Sequence, residues 1–410
     1  MRLEDIRPAG DLRTEDPRPT SAGDHDDAAR IRAAVPGDGG RAIRAADARM
    51  ARDVSEAGRP QPAPEPLLDG WQRASGRGRA DGGDVGPDGG RLCDPRPDFA
   101  LKVSENGYAW WYADGLSHDG AHGISIIAFV GSVFSPYYRR ARRSGPTNPE
   151  HFCAINVAIY SRGAARWTMT ERASGRLSRT QDSFSLGPSA MHFDGESLVI
   201  DIEERGFPII APVRGQVRIT PLSMPGRIYE LDALGRHFWR PIAPVARIDV
   251  NMRQPNLRWS GSAYLDHNYG LEPIEDGFKE WDWSRSDAGR SAYVLYDMKP
   301  RLGPKQSLAL QFKPNGDIEP LEPPPRQRME NALWGMARRT RSDDGASASI
   351  IRTMVDAPFY ARSLMQSRIA GQNMMGMHES LSLDKLTMPA VQAMLPFKMP
   401  RVGDRRGFFY

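Results

Sequence analysis

The chain has 410 residues, 40% hydrophobic and 26% charged, an ordinary composition for a soluble protein with room for two domains or one domain and an extension. The formal net charge of +4 is uneven: residues 1–100 hold 16 Arg, no Lys and 19 Asp+Glu, a net of −3, and the remainder carries 39 Lys+Arg against 32 Asp+Glu, a net of +7. The basic body is compatible with an anionic membrane surface, no basic cluster interleaved with aromatics points to nucleic acid, and two cysteines, Cys93 and Cys153, neither frame a disulfide scaffold nor supply zinc-ligand spacing.

The start, MRLEDIRPAG, has no apolar region, so no secretory signal is expected, and the longest mainly apolar run, residues 123–134, is too short to span a bilayer. Residues 1–96 are rich in Gly, Pro, Asp, Arg and Ala, with Trp71 the sole aromatic before Phe99, and read as a disordered extension. From Phe99 the texture changes. Tyr108, Trp110 and Tyr112 alternate with Ala109, Trp111 and Ala113, a strand signal. Residues 124–134 read as a buried strand ended at Pro136, and 152–160 and 166–172 as two more. Asp194-Gly195 predicts a hairpin with a two-residue turn. Short strands between Gly/Pro turns continue through the second half, and helical periodicity is nearly absent. Residues 334–341 and 349–355 read as strands, and 358–369 as a short helix or irregular crossing. Ten of the 17 methionines lie beyond residue 300, and Met374, Met375 and Met377 fall in a predicted loop.

The stretch 236–283 concentrates the chemistry. It holds two pairs spaced by two residues, His237/Trp239 and Tyr264/Asp266, and on a strand such pairs point to one face. Together they offer an acid, a base, a hydroxyl and a large π face. A nucleophile–base motif, a metal-ligand spacing and a phosphate loop are all missing, so the set suits proton chemistry on an uncharged substrate. His267 follows Asp266 and is expected on the opposite face. His118, Asp119 and His122 have metal-ligand composition, but the glycines around them predict a loop rather than the helix that i, i+4 ligation needs. No metal site and no cofactor is expected.

GSAYLDHNYG followed by WDW, with GYAWWYADGLSHDGAHGISIIAFVGSVFSPYY upstream and APFYARS, HESLSLDKL and MLPFKMPR downstream, resembles the carotenoid 1,2-hydratase (hydroxyneurosporene synthase) family of purple photosynthetic bacteria. The resemblance covers residues 97–402. It implies a mainly β fold of two tandem lipocalin-like β-barrels, 97–255 and 256–402, after the extension and before a tail at 403–410. It also implies addition of water across the terminal C1=C2 bond of an acyclic carotenoid such as neurosporene or lycopene, with Asp266, His237, Trp239 and Tyr264 as catalytic residues.

Such an alkene is a very weak base. Asp266 is therefore expected to be a buried acid, kept protonated in an apolar pocket. His237, neutral at rest, would orient the water and take its proton or tune Asp266, within ~2.6–3.2 Å of it or through one water. Trp239 would face the carbocation, and Tyr264 would hydrogen-bond near Asp266 or pack. Trp281 and Trp283 share a face and read mainly as core. The expected partners are the carotenoid, water and, peripherally, the cytoplasmic side of the bacterial inner membrane. A non-catalytic polyene carrier and another isoprenoid-transforming enzyme, such as a cyclase, are the alternatives. Only an enzyme needs a protonated carboxyl inside the pocket.

Overall fold

The strand Tyr108–Ser117 explains the architecture, because all ten of its residues are buried. In the computed structural model, which describes residues 85–403 except Pro208, alternate side chains of this strand enter two different cores. Trp111 and Ala113 point into a cluster with Ile126, Ile155, Phe184, Ile200, Ile219, Ile248 and Leu265. Tyr108, Trp110 and Tyr112 point into another with Phe129, Trp239, Tyr264, Trp281, Tyr296 and Phe312. A strand covered on both faces has no solvent side, so both sets are apolar or aromatic. Each large side chain so buried stabilises the fold by roughly 1.5–3 kcal/mol.

The first core lies inside a fourteen-stranded sheet. Its central strands run in the order Cys153–Ser161, His122–Val130, Tyr108–Ser117, Leu257–Gly270, His237–Gln254, Pro212–Ser223 and Leu198–Arg205. Pairing is antiparallel except where Arg401–Val402 joins Arg166–Arg172 in parallel. The second core separates this sheet from one of seven strands, centred on Phe278–Ala288, Ser291–Pro300 and Gln372–Ser382. The expected mainly β architecture is present. Its sheets are curled as half-barrels, and their hydrogen-bonded paths stay open.

Several local expectations are corrected. Residues 85–96, expected to belong to the disordered extension, are built into the fold. Arg91–Leu92 pairs with the Arg227–Glu230 strand, Tyr229 Oη donates to buried Asp88 at 2.6 Å, and the Arg240 guanidinium donates to the carbonyls of Asp94 and Arg96. The remainder of the expected extension, 1–84, and the tail 404–410 lie outside the described residues. The expected barrel boundary at 255/256 falls in a hairpin, because Leu257–Gly270 pairs along the length of His237–Gln254. The chain passes to the second sheet only after Gly270, through the short helix Ile274–Gly277. The turn at Asp194-Gly195 has four residues, with Asp194 Oδ1 accepting from the Glu196 and Ser197 amides, so a side-chain cap sets the turn length. Residues 360–369 form a strand. Met374 and Met377 are buried in Gln372–Ser382 rather than in a loop, and only 339–341 of the predicted 334–341 strand is extended.

Candidate active site

Register places the expected residues. On the strand His237–Gln254, His237 lies opposite Gly270, Trp239 opposite Asn268 and Pro241 opposite Asp266. On the other side of Leu257–Gly270, Tyr108 lies opposite Gly270, Trp110 opposite Asn268, Tyr112 opposite Asp266 and Asp114 opposite Tyr264. Directly paired residues share a face. The pairs 237/239 and 264/266 therefore point together into the core between the sheets, as their spacing predicts. His267 points the other way and stacks on Trp111 at 4.6 Å.

Asp266, Tyr264 and Trp239 form one hydrogen-bonded group. Tyr264 Oη donates to Asp266 Oδ2 at 2.8 Å, and Trp239 Nε1 donates to the same oxygen at 2.9 Å. Oδ1 has only a long contact from Asn268 Nδ2 at 3.4 Å. Two donors on Oδ2 leave Oδ1 as the oxygen that carries a proton. Burial pushes the carboxyl up to about 8; the two hydrogen bonds act against the rise, and the charges of Glu379 and Asp114 add to it. The acid is therefore protonated at neutral pH.

His237 is not joined to Asp266. Four residues of register at ~3.3 Å each separate them by roughly 13 Å along the strands. Its ring is fully buried between Tyr108 and Phe278, with Nδ1 2.9 Å from Tyr108 Oη and Nε2 3.3 Å from Glu272 Oε1. The carboxylate accepts from Nε2–H, so Nδ1 accepts from the Tyr108 hydroxyl. Burial lowers the imidazole to about 4, which makes it neutral. A Cβ on Gly277 would lie 2.1 Å from Nε2, so glycine is required where the chain leaves the first sheet. The expected hydrogen bond with Asp266 is absent because both ring nitrogens are committed at this junction.

A cavity of about 400 Å³ opens between the sheets. Its inner wall is aromatic, with Trp110, Tyr112, Phe129 and Trp281. None of the four expected residues lines it. Tyr112 and Trp110 line the cavity beside their cross-strand partners Asp266 and Asn268, and Trp283 packs on Tyr112 at 5.5 Å and Tyr264 at 5.2 Å. The acid thus adjoins the aromatic wall of the cavity without lining it. Trp239 turns its N–H edge to Asp266, so the rings nearest the cavity, Tyr112 and Trp281, offer the better-placed π faces. Trp281, read mainly as core, is part of the cavity wall.

Sequence reasoning missed the charges at this interface. Arg285 and Asp114, both with fully buried side chains, are joined through Arg285 Nε to Asp114 Oδ1 at 2.8 Å, and Tyr112 Oη donates to Asp114 Oδ2 at 2.8 Å. Arg362 and Glu379 line the cavity as an ion pair at 2.5 Å. Arg285 and Asp114 are far apart in sequence, and Arg362 meets Glu379 through the pairing of two adjacent strands, so no motif spacing reveals either pair. Nor do His118, Asp119 and His122 converge: Asp119 caps the turn through the Ala121 amide, and His122 Nδ1 meets Ser161 Oγ at 3.0 Å.

The family model described as carotenoid hydratase CrtC matches residues 126–407. The acyclic carotenoid 1,2-hydratase of Thiocapsa roseopersicina is 44% identical over 404 residues, covering 98% of this chain and 100% of that protein. That of Rubrivivax gelatinosus is 46% identical over 380 residues, covering 92% and 93%. Among solved structures, an AttH protein from Nitrosomonas europaea superposes with a TM-score of 0.46 at 14% identity, covering 67% of this chain and 91% of that one. By its family match and by relatives alike along nearly their whole length, the chain belongs to the carotenoid hydratase family and is a hydro-lyase.

Proposed function

We propose that the enzyme adds water across the terminal C1=C2 bond of an acyclic carotenoid, with neurosporene and lycopene as substrates. The observation that carries this reading is Asp266: a fully buried carboxyl, protonated at neutral pH, without a cationic partner and next to an apolar cavity. One end of the polyene enters the cavity. The layer of Tyr112, Trp281 and Trp283 parts by side-chain rotation and admits the terminal double bond. Asp266 Oδ1–H then protonates C2, and the π electrons form the new C–H bond, leaving a tertiary cation at C1. Tyr264 and Trp239 stabilise the carboxylate left behind through their bonds to Oδ2. The surrounding rings stabilise the cation, a contact worth roughly 2 kcal/mol or more when desolvated, and they do so for the cation far more than for the neutral alkene. Water closes the reaction at C1. The reaction is redox-neutral and needs no redox cofactor.

We assign His237 the role of positioning the junction that holds the Trp239 and Asp266 strands in register with the second sheet. We further propose a peripheral position on the cytoplasmic side of the bacterial inner membrane. Exposed Leu333, Trp334, Met388, Met394 and Phe397 support this, since Trp334 and Met394 border the cavity opening and the others flank them in sequence.

The test uses lycopene in deuterium oxide and, separately, in ¹⁸O-labelled water. Wild type is expected to place deuterium at C2 and labelled oxygen at C1. Asp266→Asn, which keeps the size of the side chain and lacks the proton, is expected to lose hydration by at least about 100-fold while still binding the polyene. Near-normal turnover by Asp266→Asn, or product oxygen derived from O₂, refutes the mechanism.

A further inference from the structure

Hydration needs a base as well as an acid, and His237 is remote from Asp266 with both ring nitrogens engaged. Two carboxylates line the cavity, Asp356 and Glu379. Asp356 accepts from the Leu333 amide at 2.6 Å and the Trp334 amide at 3.3 Å, in the segment that borders the opening. Glu379 lies on the strand Gln372–Ser382, opposite Trp283 on one side and Arg362 on the other.

We propose that Glu379 is the group that takes the proton from the attacking water. This rests on the hydration reading above. The Arg362 guanidinium donates to Glu379 Oε1 through Nε at 2.8 Å and Nη2 at 2.5 Å. Arg362 is itself fixed by Tyr160 Oη at 2.7 Å and by the rings of Tyr112, Tyr360 and Tyr160 at 5.3, 5.6 and 5.9 Å. Both donors fall on Oε1, which leaves Oε2 free of Arg362. Tyr112 is the shared wall: its ring carries Arg362 on one side, and its strand partner is Asp266. The two carboxyls thus have opposite settings: Asp266 has no cation beside it, whereas Glu379 is paired with the Arg362 guanidinium. A weak base is sufficient, because the proton on a newly formed oxonium is strongly acidic.

The step balances. A water lone pair forms the C1–O bond to the cation, and one water O–H bond breaks with its proton passing to Glu379 Oε2. The products are the tertiary alcohol, ionised Asp266 and protonated Glu379. One proton returning from Glu379 to Asp266 restores the resting state.

The experiment follows hydration of lycopene and deuterium uptake into unreacted lycopene, both in deuterium oxide, with polyene binding measured for each protein. Glu379→Gln is expected to hydrate at least about 10-fold more slowly, within the range assigned to general acid–base groups. It still protonates C2, and the uncaptured cation returns to alkene, so the ratio of C2 exchange to hydration rises. Because glutamine leaves Arg362 uncompensated and buried, the double variant Glu379→Gln/Arg362→Gln is run beside it and is expected to show the same rise. Wild-type hydration by these variants overturns the proposal. So does parallel loss of exchange and hydration in a folded, polyene-binding variant. Asp266→Asn is expected to show neither reaction, and C2 exchange in that protein would instead overturn the acid assignment, on a separate variant.

Discussion

Asp266 differs from an ordinary aspartate by its lack of a cationic neighbour. Burial therefore outweighs the two hydrogen bonds that act against it, and the folded chain holds the proton up to about pH 8. An unfolded aspartate loses it near about 3.9. Between these values the unfolded state binds fewer protons, so this stabilisation is complete below about pH 4 and is lost as the pH rises towards 8. His237 acts in the opposite sense over a lower window. Its folded value of about 4 lies below the unfolded ~6.5, so its contribution is present above about pH 6.5 and is lost as the pH falls towards 4. Comparing wild type with Asp266→Asn between about pH 6.5 and 8 isolates Asp266. The unfolding free energy of the variant is expected to gain on wild type by up to roughly 1.4 kcal/mol per pH unit there. A difference independent of pH in urea titrations would show that Asp266 is ionised in the folded chain. Hydration is expected to fall above about pH 8 for the same reason.

The decisive elements are the three adjacent strands that carry Tyr108, Asp266 and His237. Around these residues each is covered on both faces, so a shift of one residue would exchange the contents of the two cores. Residues 85–96 brace the His237 strand from outside: Arg240, which begins the run after Trp239, has its guanidinium on the carbonyls of Asp94 and Arg96. Deleting residues 1–84 is expected to leave the urea midpoint and hydratase activity unchanged. Deleting 1–96 orphans Arg240 and Tyr229 and is expected to cost roughly 2–6 kcal/mol, from about 1–3 kcal/mol for each buried polar group left without a partner. Equal stability of the two truncations would show that the brace carries no weight.

At the scale of the whole molecule, the cavity lies between two sheets and opens beside exposed Trp334 and Met394. A polyene dissolved in a bilayer can enter without crossing water only if that opening meets the lipid. Lys398 also lines the cavity, 5.3 Å from the Trp167 ring, and adds a positive charge suited to an anionic surface. Leu333→Ser/Phe397→Ser, at exposed positions outside the cavity lining, is expected to weaken binding to anionic vesicles at least about 10-fold, since burying one large apolar side chain contributes roughly 1.5–3 kcal/mol. Activity on detergent-dispersed substrate should be retained. Unchanged vesicle sedimentation would refute the proposed membrane contact at this opening. No described helix is long and apolar enough to cross a membrane.

Period-two alternation in GYAWWYADG and AYLDHN reads out strand faces directly, since side-chain direction on a strand is local geometry. Those patterns by themselves determined that Tyr108, Trp110 and Tyr112 share a face, that Tyr264 and Asp266 share one, and that His267 does not. The family motifs pointed to the acid. What they did not contain was distance between strands. Only the register of His237 against Gly270 separates that histidine from Asp266. Only the packing of two sheets brings Arg362 and Glu379 to the cavity and Arg285 to Asp114. The continuation of the first sheet through Gly270, and the inclusion of residues 85–96, likewise rest on hydrogen bonds between segments far apart in the chain. The raised affinity of Asp266 for its proton belongs to the same class: desolvation is a property of everything that surrounds a group, and the chain supplies it only once folded.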